Sequence, residues 1–115
     1  MEGNTIFHKI IRKEIPAKIV YEDDKMIAFH DIQPAAPVHV LLVPKVSLSS
    51  VHEAKPEQAA VLGHLLVKAG ELAQQFGLTE SGYRLVINSG PHGGQTVFQL
   101  HVHLLGERPL SWPPG

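Results

Sequence analysis

Val97-Phe98-Gln99-Leu100-His101-Val102-His103-Leu104-Leu105 alternates between two kinds of side chain. Successive side chains of a strand point to opposite faces, so Phe98, Leu100, Val102 and Leu104 share one face while Gln99, His101, His103 and Leu105 share the other. The apolar set predicts a core-facing strand over the whole stretch. It turns Gln99, His101 and His103 toward solvent, a pocket or a partner. Upstream, Tyr83 to Asn88 reads as a further strand, joined to it by the loop Ser89-Gly90-Pro91-His92-Gly93-Gly94-Gln95. Val38 to Val43 is a nearly unbroken apolar run of core-strand length, interrupted by His39. Ile19 to Tyr21 and Met26 to Phe29 flank the polar turn Glu22-Asp23-Asp24-Lys25, the pattern of a hairpin.

Two segments carry helical spacing instead. Thr5 to Lys13 predicts a short amphipathic helix with Thr5 as N-cap, Ile6, Phe7, Ile10 and Ile11 on one face and Pro16 beyond its end. The long helix starts near Pro56 and repeats Val61, Leu62, Leu65, Leu66, Ala69, Leu72, Ala73 and Phe76 up to Gly77 as stop. The tail from Pro109 to Gly115 holds three prolines and is neither helix nor interior strand. Strands that can pair as antiparallel neighbours, interrupted by one long helix, predict an α+β fold in one domain over residues 1–115. Both helices are expected on one sheet face, leaving the other open to a ligand or a second copy.

The formal net charge of −1 leaves no basic stripe, which argues against a nucleic-acid partner. With no cysteine there is neither a disulfide framework nor a thiolate zinc site. Met1-Glu2-Gly3-Asn4 lacks a basic start and an apolar h-region, and no segment approaches the roughly 18 apolar residues of a membrane span. A soluble, cytoplasmic protein without membrane association is the expectation.

Imidazoles at i and i+2 stand about 7 Å apart at the backbone and can converge on one small anion. Three chemistries fit that pair: polar positions on a solvated face, neutral metal ligands, or a nucleophile beside a hydrogen-bond donor. Metal binding needs a third or fourth ligand, for which Gln99 is poor, although His39 or a carboxylate could supply it in space. Gly93 and Gly94 let backbone amides approach an anion closely, and Thr96 adds a hydroxyl. No helix follows this loop, so it is neither a Walker loop nor a dinucleotide fingerprint.

Gly94 to Gly106 resembles the signature of the histidine triad (HIT) superfamily, His-φ-His-φ-His-φ-φ with φ apolar. Thr5-Ile6-Phe7, Ile10 to Ala17, Phe29-His30-Asp31-Ile32, Ala36-Pro37-Val38-His39, Gly63-His64-Leu65 and Ser111-Trp112-Pro113-Pro114-Gly115 extend the likeness to its nucleotide-binding branch. The resemblance implies a five-stranded antiparallel sheet with one long and one short helix, joined by dimerisation into a larger sheet. It also implies a homodimeric purine nucleoside phosphoramidase that needs no metal or other cofactor and cleaves the P–N bond of nucleoside 5′-phosphoramidates, aminoacyl-adenylates being further candidate substrates. His101 then matches the nucleophile, and His103 the residue on the phosphate of an AMP- or GMP-like ligand. Asn88, Gly94, Gln95 and Thr96 match phosphate and leaving-group contacts, and Asp31 matches the ribose-hydroxyl acceptor beside Ile32. Ile6, Phe7, Ile10 and Phe29 match an apolar base pocket, and His39 an imidazole that braces the triad strand.

Each of these residues also has an ordinary role: Asp31 can cap the turn into Gln33-Pro34, and Ile6, Phe7 and Ile10 can be core. Trp112 is expected to pack, at the dimer interface or elsewhere. Gln99 occupies the first triad position, where it can hydrogen-bond but cannot exchange a proton near neutral pH. Val46-Ser47 after Pro44-Lys45 is a second departure, at positions where this branch often carries a basic or imidazole-bearing pair. A weakly active or non-catalytic nucleotide-binding module is the competing class.

Overall fold

Asp23 closes the first hairpin. In the computed structural model, which describes residues 3–115, one of its carboxylate oxygens accepts the backbone N–H groups of Lys25 (2.8 Å) and Met26 (2.9 Å). Its other oxygen accepts the Tyr21 hydroxyl and meets the His64 ring. The strands joined by this turn are β1 (Ile19–Glu22) and β2 (Met26–His30). Met1 and Glu2 of the N-terminal stretch lie outside the described residues.

β3 (Val38–Pro44), buried along its whole length, pairs antiparallel with β2 on one side. On its other side it pairs with β5 (Val102–Gly106), whose outer neighbour is β4 (Tyr83–Val86). The result is an α+β fold built on one five-stranded antiparallel sheet in the order β1-β2-β3-β5-β4. Antiparallel strands need only short connections, and the one long excursion, between β3 and β4, holds the long helix α2 (Ala59–Gln75). Leu65, Ala69, Leu72 and Ala73 form the buried stripe of α2. Gly77, at φ +72°, ends it: the Gly77 N–H reaches Gln74 O (3.0 Å) and the Leu78 N–H reaches Ala73 O (2.9 Å), the paired closure that a left-handed residue permits.

The pleat divides the core. Met26, Ala28, Val40, Leu42, Val102 and Leu104 face α2, while Ile27, Phe29, Leu41 and Val43 face the short helix α1 (Ile6–Ile11) together with Phe7 and Ile10. The two helices therefore lie on opposite faces, not on one as the sequence pattern suggested. α1 has six residues and could not persist alone in water. Its N-terminus is fixed by a reciprocal cap: the Thr5 hydroxyl oxygen accepts the His8 N–H, and the His8 ring accepts the Thr5 N–H. Because α1 covers only part of its face, a cleft is left between it and the side chains of β5.

One more expectation is corrected. The strand predicted from Val97 begins only at Val102, so Phe98 is half exposed and does not join the apolar face. Between those points the chain is held by the Gln99 side chain and by Leu100 N–H to Leu48 O (2.7 Å), contacts that hydrophobic alternation does not encode. Trp112 is exposed in the single chain, in a tail whose Leu110 and Ser111 carbonyls are held by Arg84. Among the described residues no helix is long and apolar enough to cross a membrane.

Leu42 lies at the centre of the α2-facing core with no exposed surface. Leu42→Ala is expected to cost about 3 kcal/mol of unfolding free energy in urea titration; a loss under about 1 kcal/mol would mean that this layer is not the core.

Candidate functional site

The pleat that sends Val102 and Leu104 to the core sends His101 and His103 to the opposite face, toward α1. There His103 meets His39 of β3, on the diagonal across the β3–β5 pair. A cleft of about 310 Å³ opens here, lined by Ile6, Phe7, Ile10 and Phe29 on one wall and by Asp31, Ile32, Thr96, His101 and His103 elsewhere. The Phe7 ring stands edge-on to Phe29 (centroids 5.4 Å apart) and to His101 (4.9 Å). An apolar slot thus abuts two imidazoles, whose own centroids are 4.9 Å apart.

Hydrogen-bond partners fix the tautomers. His101 Nδ1 lies 2.7 Å from the Gln99 backbone oxygen, which can only accept. Nδ1 therefore carries the proton, and Nε2 keeps its lone pair. His39 Nδ1 accepts the Ala35 N–H (3.0 Å), so its Nε2–H donates to His103 Nδ1 at 2.9 Å, with Asp31 Oδ2 beside it at 3.4 Å. His103 Nδ1 is consequently an acceptor, and its proton sits on Nε2. That Nε2 is buried and has no hydrogen-bond partner. A buried unsatisfied donor is costly unless something fills its need, and this one borders the cleft.

The electrostatics agree. Burial, with His101 and His39 as neighbours, pushes His103 down to about 4, against the opposing pull of Asp31. Burial also lowers His101 and His39 below their ordinary value, and Asp31 again opposes it in each. The three rings are neutral at neutral pH, as a nucleophile and a tautomer relay require.

Not every residue singled out in the sequence borders the cleft. Asp31 does, although its Oδ1 also accepts the Gln33 N–H (2.8 Å), so it caps the turn as well. His39 stands behind His103. The Gln95 side chain is engaged by backbone groups of its own loop and beyond: it accepts the Gly90 N–H and donates to Ser49 O and Val97 O. Gly94, at φ +81°, shapes that loop, and a Cβ on neighbouring Gly93 would collide with the Ser89 backbone. Asn88 is half-buried beyond the end of β4, outside the cleft lining.

Gln99 is fully buried and faces none of solvent, pocket or partner: its amide donates to Pro44 O (3.0 Å) and Val46 O (2.9 Å), and its oxygen accepts the Leu48 N–H (3.1 Å). Ile15, Pro16, Ala17, His30, Gln33, Leu41 and Val97 complete the cleft. Sequence pattern gave the apolar ones no chemical signal, because apolar lining and core look alike in a single chain. Asp31, His39 and His103 form the one group among the described residues that could offer a metal three ligand atoms, all within 4.8 Å of one another. The His39–His103 nitrogens, at 2.9 Å, are closer than the roughly 3.3 Å that a shared tetrahedral zinc would impose, and the bond between them accounts for their approach.

The HIT domain family profile matches residues 12–110. A HIT-like protein of Synechococcus elongatus is 60% identical over 115 residues, spanning 100% of both chains. Adenylylsulfatase HINT1 of Arabidopsis thaliana is 53% identical over 116 residues, with 99% of this chain and 78% of that protein covered. Among solved structures, a HIT family hydrolase from Legionella pneumophila superposes with a TM-score of 0.95 at 46% identity, covering 97% of this chain and 100% of that one.

A histidine held neutral by the fold binds fewer protons than the same residue unfolded. With His103 near 4 and an ordinary value of 6.5, the unfolded chain takes up protons first as pH falls, so stability is lost between those values and is flat above them. Urea midpoints are expected to fall from about pH 6.5 to about pH 4.5. His103→Gln, which removes one such imidazole, should flatten that slope, and an unchanged slope would show that His103 titrates normally.

Proposed function

Because the chain belongs to the HIT domain family, whose model spans most of its length, we propose that this nucleotide-handling hydrolase is a purine nucleoside phosphoramidase. The observation that carries the reading is the opposed pair of tautomers: a lone pair on His101 Nε2, and a buried, unpartnered N–H on His103 Nε2, at one end of an apolar slot. A purine face suits the slot of Ile6, Phe7, Ile10 and Phe29, with Ile32 at its exposed rim. Asp31 accepts the ribose hydroxyls, and the His103 N–H donates to a phosphoryl oxygen.

His101 Nε2 attacks phosphorus and the P–N bond breaks. The leaving nitrogen takes a proton from solvent, which the attacking water returns in the second step, and departs as an amine on the side of the Thr96 hydroxyl, leaving a nucleotidyl-histidine. The charge that grows on the ring is met by the Gln99 carbonyl at Nδ1. Water then attacks the same phosphorus, and the net reaction consumes one water to give a nucleoside monophosphate and an amine. Gln99 exchanges no proton in either step. The Arabidopsis relative's name points to adenylyl sulfate, a mixed anhydride. The same attack would serve there, with sulfate in place of the amine as the leaving group.

Adenosine 5′-monophosphoramidate is the probe. The unmodified chain should hydrolyse it faster than adenylyl sulfate, and His101→Ala should lower turnover by about 10⁴-fold or more while AMP affinity changes only a few-fold. Tight AMP binding with no turnover by the unmodified chain would establish the non-catalytic module instead.

We also propose that the protein works as a homodimer. β4 is an edge strand with Tyr83 exposed, and α2 exposes Leu66 and Val67, an apolar surface that suits a second copy. Sedimentation at micromolar concentration should give twice the chain mass of 12.6 kDa, and a single-chain mass would contradict it.

A further inference from the structure

His8 is a buried imidazole that the hydrolytic steps do not use. It is the third residue of α1, where the reciprocal cap ordinarily takes Glu or Gln. An imidazole there can do something a carboxylate cannot. Its Nδ1 accepts the Thr5 N–H (3.2 Å) and lies 2.6 Å from the Thr5 hydroxyl, which leaves the proton on Nε2. Nε2 stands 3.1 Å from Ser47 Oγ and donates to it. One ring thus closes the helix and ties it to a segment 39 residues away in sequence.

Ser47 lies within the segment that Gln99 grips. Val46 O and Leu48 N–H, on either side of Ser47, both bond the Gln99 side chain. Burial and then Arg12 hold His8 below its ordinary value, and the Gln99 amide is near enough to oppose them. The Gln99 backbone oxygen, in turn, fixes the His101 tautomer. From the other side, Phe7, adjacent to His8 on α1, stands edge-on to the His101 ring.

We propose that His8 is a positioning residue for His101, acting through Ser47 and Gln99, so that the seating of α1 and the orientation of the attacking imidazole form one mechanical unit. The inference rests on the reading of His101 as the attacking group. It also gives Gln99 a use that a proton-exchanging residue would not need: a neutral amide can grip a carbonyl and an N–H at once, whatever the pH.

Ser47→Ala removes only the acceptor, and His8→Glu keeps the helix cap while removing the donor. Melting temperatures within a few degrees of the unmodified chain are expected for both. Each should lower kcat for adenosine 5′-monophosphoramidate about tenfold with KM within about twofold, and the double variant should be no worse than either single one. In parallel, the His101 Nδ1–H resonance, followed by ¹⁵N NMR in the free protein, should exchange faster with solvent in both variants. If His8→Glu does not fold, Ser47→Ala carries the test alone. The inference stands only if kcat and the resonance both change; native kcat, additive losses or an unchanged resonance overturns it. Should the unmodified chain prove inactive, the proposed function falls, and the resonance alone decides whether His8 positions His101.

Discussion

The hydrogen bond from His101 Nδ1 to the Gln99 carbonyl is the constraint on which the site depends. At 2.7 Å to a group that can only accept, it assigns the ring proton and turns Nε2 toward the cleft. A second rule of the same kind acts on His103, through Ala35 and His39. Backbone groups are the origin of both relays. Each tautomer is therefore set by the fold and not by pH.

Burial completes what the hydrogen bonds begin. Imidazoles packed among Phe7, Phe29 and Leu41 lose hydration that the charged form needs most, so neutrality follows from position. The cost appears as one unsatisfied donor, His103 Nε2. In the proposed function a phosphoryl oxygen in the cleft accepts from it. Asp31 opposes the lowering of all three rings without protonating them, and keeps Oδ2 beside the cleft.

Much of this was legible from residue order, because period-2 alternation is a property of the backbone. The shared face of His101 and His103 follows from it, whereas Val38 to Val43 shows in its unbroken apolar run, the hairpin strands in the polar turn between them and the α2 stripe in its helical spacing. What escaped are features made by single hydrogen bonds across long sequence separations. Gln99 belongs to the polar set by alternation, yet it is buried because three backbone groups of the Pro44–Leu48 segment await it. The late start of β5 and the exposure of Phe98 follow from that grip. His8 gave no signal beyond its place after Thr5, since its partner Ser47 is distant in sequence. The opposed helices escaped for another reason: α1 is too short for its apolar face to declare which side of the sheet it covers.

The central claim is that His101 Nε2 becomes covalently bonded to phosphorus. Rapid quenching during turnover of a nucleoside phosphoramidate, followed by mass analysis of the peptide that contains residues 97–106, measures this directly. A transient mass increase equal to the nucleotidyl group, localised to His101, is the predicted result. Turnover with no such adduct at any quench time, or with the adduct on His103 or His39, would contradict it.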